Sequence, residues 1–185
     1  MARAEVVEVT AEQSGSLDDA RILVGTEAVL HRVDRSDVVV FLDFDQELLA
    51  PRYRAGEEAM AMLIRASRLV GARSGGGRVL VQTRMPDHEV LGAARHADSR
   101  RLAISDLDTR RILSQPPISA WAIVSGKAGG EFVERLGKPD GVEVVGTADG
   151  RWRIRSSDRE LLLDALGAVE RPGGRLRVEV DPLRA

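Results

Sequence analysis

Two carboxylates spaced two residues apart are the first groups in this sequence that could hold a metal or a nucleotide. Asp43 and Asp45 directly follow the apolar run Val38–Leu42, whose unbroken pattern predicts a parallel strand buried on both faces. Parallel strands of α/β folds carry ligand and metal sites at their carboxyl ends. A spacing of two would aim both carboxylates the same way if the strand continued. The alternative is that both cap the next turn, and the residues alone favour the turn.

An arginine-rich stretch offers a second kind of chemistry. Residues 151–155 alternate arginine with Trp152 and Ile154, which predicts a half-exposed strand with three guanidinium groups on one face. Guanidinium groups in a row suit contacts with phosphates or carboxylates. The alternative is a solvated sheet face whose arginines pair with acids such as Asp149 and Asp158. The residues alone leave both interpretations open.

Several other chemistries have no support. The glycine-rich stretches 74–77 and 125–130 lack the Walker A pattern and are interpreted as turns. The three histidines share no metal-ligand spacing, and the absence of cysteine excludes disulfides and thiolate zinc sites. No G-x-S-x-G element of a serine hydrolase is present. We therefore expect no catalytic residue and no metal site.

The composition is that of a globular protein without a membrane span. Of the 185 residues, 43% are hydrophobic and 30% are charged, and no apolar run approaches the roughly 18 to 20 residues needed to cross a bilayer. The formal net charge of −2 argues against a non-specific polyanion binder, although clustered arginines can still form one basic face. We expect a cytoplasmic protein with no membrane partner.

The apolar patterns predict two pieces of different architecture. A strand at Val6–Val9, a loop over 11–19 and a strand at Arg21–Val24 come first. The strand Val38–Leu42, a helix over Glu57–Val70 and a strand at Val79–Val81 form a βαβ unit, which predicts a parallel sheet.

The second piece is predicted to be an α+β module. Helices over 87–97 and 101–113 lead to Pro116 and Pro117, and the pattern then changes to short strands. The predicted elements are strands at 121–124, 142–145, 151–155 and 176–180, with a helix over 159–169.

Seven short stretches resemble, in this order, motifs of the C-terminal part of the primosomal protein N′ (PriA) family. They are RILVGTE at 21–27, VVFLDFD at 39–45, LLAPRYRAGEE at 48–58, VLVQTRMPDH at 79–88, RRILSQPP at 110–117, GRWR at 150–153 and VEVDPL at 178–183. Each motif alone is weak, and their common order carries the resemblance. The altered helicase motifs resemble those of the actinobacterial branch, whose members are regarded as restart proteins without helicase activity, and the arginine-rich, alanine-rich, lysine-poor composition fits a high-GC organism of that kind.

We expect an α/β fold in three segments. The residue pattern predicts a leading strand and loop over 1–20. The resemblance implies a partial helicase lobe 2 over 21–104, a parallel sheet with flanking helices, and a small α+β C-terminal domain over 105–185. The resemblance also implies a DNA-binding component of replication restart that recognises stalled forks and D-loops. The implied partners are forked or single-stranded DNA, single-strand-binding protein and other primosome components.

The nucleotide machinery of that family is eroded here. By resemblance, Arg65 stands at the glutamine of motif VI and Leu69 at its first phosphate-sensing arginine, while Arg73 matches the second only with a one-residue slip. Loss of such an arginine costs about 10³ in rate or more. The residues that remain as a vestigial nucleotide site are Gly25, Thr26, Asp43, Asp45 and Arg73.

The erosion predicts binding without unwinding. ATP and zinc belong to the full-length family, whose Walker loops and zinc cysteines would lie upstream, and we expect no cofactor in this chain. The alternatives are a fragment of an active ATP-dependent 3′–5′ DNA helicase and a free-standing α/β protein of unrelated function.

The resemblance also assigns a role to the arginine strand. The family's C-terminal domain contacts DNA near the fork branch and helps to bind the acidic tail of single-strand-binding protein. A family arginine of that tail site aligns with Arg159, whereas its neighbouring glutamine is replaced by Leu163. The predicted DNA or partner-tail residues are Arg151, Arg153, Arg155 and Arg159.

Overall fold

The computed structural model describes residues 6–9 and 20–182. The predicted loop over 11–19, most of the leading segment 1–20 and the closing Leu183 lie outside these ranges. The strands are β1 (Val6–Val9), β2 (Ile22–Gly25), β3 (Val38–Phe41), β4 (Arg78–Val81), β5 (Ala120–Ser125), β6 (Glu143–Gly146), β7 (Trp152–Ser156) and β8 (Arg177–Val180). The helices are α1 (Val29–Arg32), α2 (Asp45–Leu48), α3 (Ala55–Val70), α4 (Glu89–Arg95), α5 (Arg100–Ile112), α6 (Gly129–Leu136) and α7 (Arg159–Gly167).

The chain divides into two compact units. Unit 1 comprises Met1–Pro51 and Ala55–Ser99, and unit 2 comprises Arg52–Arg54 and Arg100–Ala185. The division falls just before α5, so this helix stays whole in unit 2, whereas the sequence places its boundary between residues 104 and 105. The assignment of unit 1 to a helicase lobe stays a prediction. None of the helices within the described ranges is long and apolar enough to cross a membrane.

Unit 1 contains the parallel βαβ arrangement. β3 and β4 pair in parallel with Val39 opposite Val79, and β1 pairs in parallel with β2. Helix α3 follows from apolar residues at intervals of three and four, and it buries Ala66 and Leu69 against Leu30 and the inner face of the β3–β4 pair. The core of unit 1 therefore lies between α3 and one face of this sheet.

The expectation that the Val38–Leu42 strand is buried on both faces is wrong. Val39 and Phe41 pack towards α3, but Val38 is 46% exposed and Val40 is 52% exposed. On β4, Leu80 is also half exposed. In the described residues the two-stranded sheet has a helix layer on one face only, so its alternate side chains remain open despite their apolar character.

Unit 2 is a four-stranded antiparallel sheet with two helices on one face. The strand order is β6-β7-β5-β8, and α6 and α7 cover the face that carries Ile154 and Ala122. Phe132 of α6 and Leu162 of α7 are almost fully buried in this core. The α+β character predicted after residue 105 is present.

Helix α6 was not expected, because Ser125–Gly130 is interpreted from sequence as a turn. A turn is indeed present at Gly126, whose φ of +99° suits glycine. The next glycines belong to the helix instead. A Cβ at Gly129 would lie 2.8 Å from Cζ3 of Trp152, so this glycine allows α6 to approach β7 closely.

Candidate nucleic-acid and partner interface

The two carboxylates after β3 bind the neighbouring loops. Asp45 accepts hydrogen bonds from the Thr83 hydroxyl and, at 3.0 Å, from the backbone N–H of Arg84. Asp43 has a φ of +51° and its carboxylate accepts a 2.6 Å hydrogen bond from Nε2 of Gln46. Asp43 therefore bonds within the following turn, whereas the carboxylate of Asp45 binds the loop after β4. Across the described ranges no group of three or more His, Asp and Glu side chains is placed to hold a metal ion.

These contacts lower the pKa of Asp45. The hydrogen bond from Thr83 is the largest cause, the Arg84 backbone bond adds to it, and desolvation opposes them. We expect Thr83→Val to raise the pKa of Asp45 towards its ordinary value, because the hydroxyl that stabilises the ionised form is lost. Because the folded-state pKa of Asp45 is lowered, its ionised carboxylate stabilises the fold at pH values above the unfolded-state pKa. This contribution to stability disappears as the pH falls through the folded-state pKa.

Carbon-detected NMR titration of Asp45 measures the pKa shift in Thr83→Val, with Asp149 as the internal control. An unchanged Asp45 titration would contradict the role of the Thr83 hydroxyl.

Of the other predicted nucleotide residues, Arg73 lies at the opposite end of the β3–β4 pair from the two carboxylates. Gly25 ends β2, where a Cβ would overlap the carbonyl oxygen of Val9, and the carbonyl of Thr26 accepts a hydrogen bond that begins α1. Arg73 lies in the 3₁₀ turn before β4, at the amino end of the strand. Asp43 and Asp45 follow the carboxyl end of the neighbouring parallel strand. Four residues of strand separate these ends by about 13 Å.

The positions that resemble motif VI have structural contacts. Leu69, at the place of the first phosphate-sensing arginine, is 5% exposed and packs with Leu30 and Ala66. Arg65, at the place of the glutamine, donates from Nε to the carbonyl of Leu30 at 2.8 Å. Both side chains therefore fasten α3 to α1 within unit 1.

The arginine strand alternates as its sequence pattern predicts. Trp152 and Ile154 of β7 face the core beneath α6 and α7. Arg155 lies opposite Glu143 on β6 and opposite Trp121 on β5, and Arg153 lies opposite Val145 and Ile123. The two strand arginines consequently project from the sheet face that α6 and α7 do not cover, which we call the outer face.

Three of the four predicted arginines have carboxylate partners. Arg151 pairs with Asp149 at 2.5 Å, Arg155 pairs with Glu143 at 2.6 Å, and Arg159 pairs with Asp181. Asp158, the other acid expected to pair with an arginine, instead caps α7 by accepting hydrogen bonds from the backbone N–H groups of residues 160 and 161. The sequence therefore identified one acid of this network and missed two.

Hydrogen bonds lower the pKa values of two of these acids, Glu143 and Asp149. The hydrogen bond from Arg155 lowers the pKa of Glu143, desolvation opposes it, and the charges of Arg155 and Arg153 lower it further. The Thr147 hydroxyl is the largest cause of the lowered pKa of Asp149; desolvation opposes it, and Arg151 lowers it further. Both carboxylates are consequently ionised at neutral pH and neutralise part of the arginine charge.

Arg153 differs from its three neighbours. Its guanidinium lies 5.0 Å from the centroid of the Trp121 ring, and no carboxylate of the described residues lies within ion-pairing distance. Stacking on an aromatic face orients the guanidinium while leaving its N–H donors available. Arg153 is therefore the predicted arginine best placed to accept an external anion.

Tyr53 and Arg110 continue the stack that begins with Arg153 on Trp121, and the sequence did not predict this stack. Tyr53 lies 5.4 Å from Trp121, and Arg110 lies 5.5 Å from the Tyr53 ring. The indole N–H of Trp121 donates to the carbonyl of Ser114 at 3.0 Å. The only sequence signal was that Arg110 begins the RRILSQPP stretch, which gives no hint of its burial.

A cavity of about 390 Å³ opens beside the arginine strand. It is lined by Ser114, Ile118, Ser119, Gly141, Val142, Glu143, Arg155, Ser156 and Ser157. The Glu143–Arg155 pair forms part of its wall. The cavity therefore lies at the carboxyl end of β7, next to Arg155, with hydroxyl and apolar groups in its lining.

No protein-family model matches the chain. Three known relatives do, each called replication restart protein PriA. The protein of Chlamydia pneumoniae is 26% identical over 100 residues, that of Haemophilus influenzae 25% over 111 residues, and that of Treponema pallidum 29% over 115 residues. These stretches cover 53%, 59% and 60% of this chain but 13%, 15% and 17% of the relatives. Over more than half of its length the chain is therefore similar to replication restart proteins of the PriA kind, in agreement with the ordered motifs in its sequence.

Proposed function

We propose that this chain is a DNA-binding component of replication restart, which recognises forked or single-stranded DNA through the outer face of unit 2 and does not unwind DNA itself. The observation that carries the proposal is Arg153, a guanidinium without a carboxylate partner among the described residues, stacked on Trp121 between Arg151 and Arg155. Phosphate contacts of this kind position a protein on DNA without reading its sequence.

The charge balance of the outer face fits a binder of moderate strength. Arg151, Arg153 and Arg155 contribute three positive charges, and the paired Asp149 and Glu143 remove two. Arg177 and Glu179 of β8 lie on the same face and pair with each other, so one net positive charge remains. A polyanion gains most at such a face when several of its phosphates engage at once, because each contact releases counterions.

Single-strand-binding protein and other primosome components are the proposed protein partners. An acidic tail would engage the same guanidinium groups as a phosphate does, through charge-assisted hydrogen bonds. Arg159, which resembles a tail-binding arginine, is 58% exposed in its pair with Asp181. A tail carboxylate would have to replace Asp181 there.

The proposal is tested by exchanging Arg153 for glutamine. We expect the affinity for a forked DNA to fall by about three- to ten-fold, and the salt dependence of log K to lose about 0.9 of its slope, because one phosphate contact disappears. Fluorescence anisotropy at several salt concentrations measures both. Arg135→Gln is the matched control, since Arg135 lies on α6, on the other side of the sheet, in a pair with Glu131. Equal affinity of the Arg153 and Arg135 variants, or no binding by the wild type at low salt, would refute the proposal.

A further inference from the structure

The Glu143–Arg155 pair joins two neighbouring strands of the outer face. Glu143 of β6 lies directly opposite Arg155 of β7 in the strand register, and Nε of Arg155 donates to Oε2 of Glu143 at 2.6 Å. Both side chains remain accessible, with Arg155 35% exposed and Glu143 52% exposed. The carboxylate is therefore an anion that already occupies one of the arginines proposed to bind phosphate.

The surroundings of the pair suit an incoming phosphate. Arg153 lies two residues before Arg155 on the same face, and the charges of both arginines lower the pKa of Glu143. Ser157 lines the adjoining cavity and carries a hydroxyl. A phosphate that took the place of the Glu143 carboxylate would keep the Arg155 hydrogen bond and remain in the field of both charges.

We propose that Glu143 is an autoinhibitory residue, an internal carboxylate that occupies Arg155 until a nucleic-acid phosphate displaces it. The inference rests on the proposed function of the outer face. Exposed ion pairs between side chains are weak, so the exchange of one anion for another on Arg155 has a small net cost. The displaced carboxylate swings into solvent from the edge strand β6, which has no further strand beside it in the described sheet.

Such a competitor would make the site selective. A single anion gains little by replacing Glu143, whereas a DNA backbone engages Arg153 and Arg155 together and compensates for the lost pair. Competition from the Glu143 carboxylate therefore lowers the affinity for a single anion more than the affinity for a polyanion. Competition of this kind contributes to specificity by disfavouring the wrong ligand. Glu143 would set the threshold for binding without contacting the bound DNA.

Glu143→Gln tests the inference, since the substitution removes the charge and keeps the size. We expect the affinity for forked DNA to rise by about three- to ten-fold, because no internal carboxylate competes for Arg155. The slope of log K against log salt should stay near that of the wild type, since Arg155 makes the same phosphate contact in both complexes. Glu131→Gln is the matched control: it changes the net charge equally, but its partner Arg135 lies on α6, so affinity should stay near that of the wild type.

The arms of the experiment separate the inference from the proposed function. If the wild type binds and Arg153→Gln weakens it, but Glu143→Gln binds no more tightly than the wild type, only the autoinhibitory role is refuted. If the wild type does not bind at all, the proposed function is refuted.

A double-mutant cycle distinguishes the loss of the Glu143–Arg155 contact from a general effect of net charge on DNA affinity. In an Arg155→Gln background, the gain from Glu143→Gln should disappear, and persistence of the full gain would also overturn the inference.

Discussion

Replacing Arg110 by methionine is expected to lower the free energy of unfolding of unit 2 by about 3 kcal/mol, which is typical of removing one partner from a buried polar network. Arg110 is 4% exposed. It donates from Nε to Asp106 at 2.5 Å and from Nη1 to the carbonyl of Pro116 at 2.6 Å. A third hydrogen bond, from Nη2 to the carbonyl of Tyr53, is 3.4 Å long.

Methionine would fill most of the volume but satisfy none of these acceptors. A carboxylate and two carbonyl oxygens would lose a donor, and the cation stacked on Tyr53 would be lost as well. Because Arg110 links α5, the proline loop and the segment 52–54, its loss should loosen the support beneath Trp121 and Arg153. We therefore expect weaker DNA binding by Arg110→Met as a secondary effect of the changed packing.

Urea unfolding followed by tryptophan fluorescence measures this prediction directly. The two tryptophans of the chain, Trp121 and Trp152, both lie in unit 2, so the signal reports on that unit. Arg111→Met is the control, since Arg111 is 63% exposed in a surface pair with Asp108, and such surface changes usually stay within about 0.5 kcal/mol. Equal unfolding midpoints for the two variants would show that the Arg110 network contributes little.

Local patterns in the sequence predict much of the fold, because they record which side chains face a core. The period of α3 and the apolar runs of β3 and β4 were sufficient for the parallel βαβ unit. They were insufficient for the burial of β3, since an apolar run cannot indicate whether a second layer is present. Helix α6 was not predicted because its first residue, Gly129, is glycine to make room for the Trp152 ring, and this contact between distant parts of the chain leaves no local pattern.

The candidate site shows the same division between local and distant information. The types and alternation of residues 151–155 predict a strand face that carries arginines, and neighbouring residues alone are enough for this prediction. The partners are set by strand register, which places Glu143 opposite Arg155 across twelve residues of chain. Asp158 was an expected partner by proximity in sequence, but its position before α7 makes capping the better use of its carboxylate. No sequence pattern distinguishes Arg153, which depends on Trp121 of another strand.

An arginine at position 69, which resembles an arginine position of motif VI, is the second change with a large expected effect. We expect Leu69→Arg to lower the free energy of unfolding of unit 1 by about 3 to 5 kcal/mol, because it places an unpaired charge in an apolar core. Leu69 is 5% exposed and packs with Leu30 and Ala66, with Val39 and Phe41 beside them. The new guanidinium would have to leave the core by shifting the end of α3.

The same variant tests whether an arginine at position 69 can support nucleotide hydrolysis. Because position 69 is a core position, we expect Leu69→Arg to weaken amide protection in α3 and to yield no DNA-stimulated ATP hydrolysis. Amide hydrogen exchange of α3 measures the stability, and phosphate release measures the hydrolysis. Ser67→Arg, which adds the same side chain at an exposed position of the same helix, should leave exchange near that of the wild type. A Leu69→Arg variant with wild-type protection in α3 would mean that this helix can turn the arginine outward, and the structural argument against helicase activity would then fail.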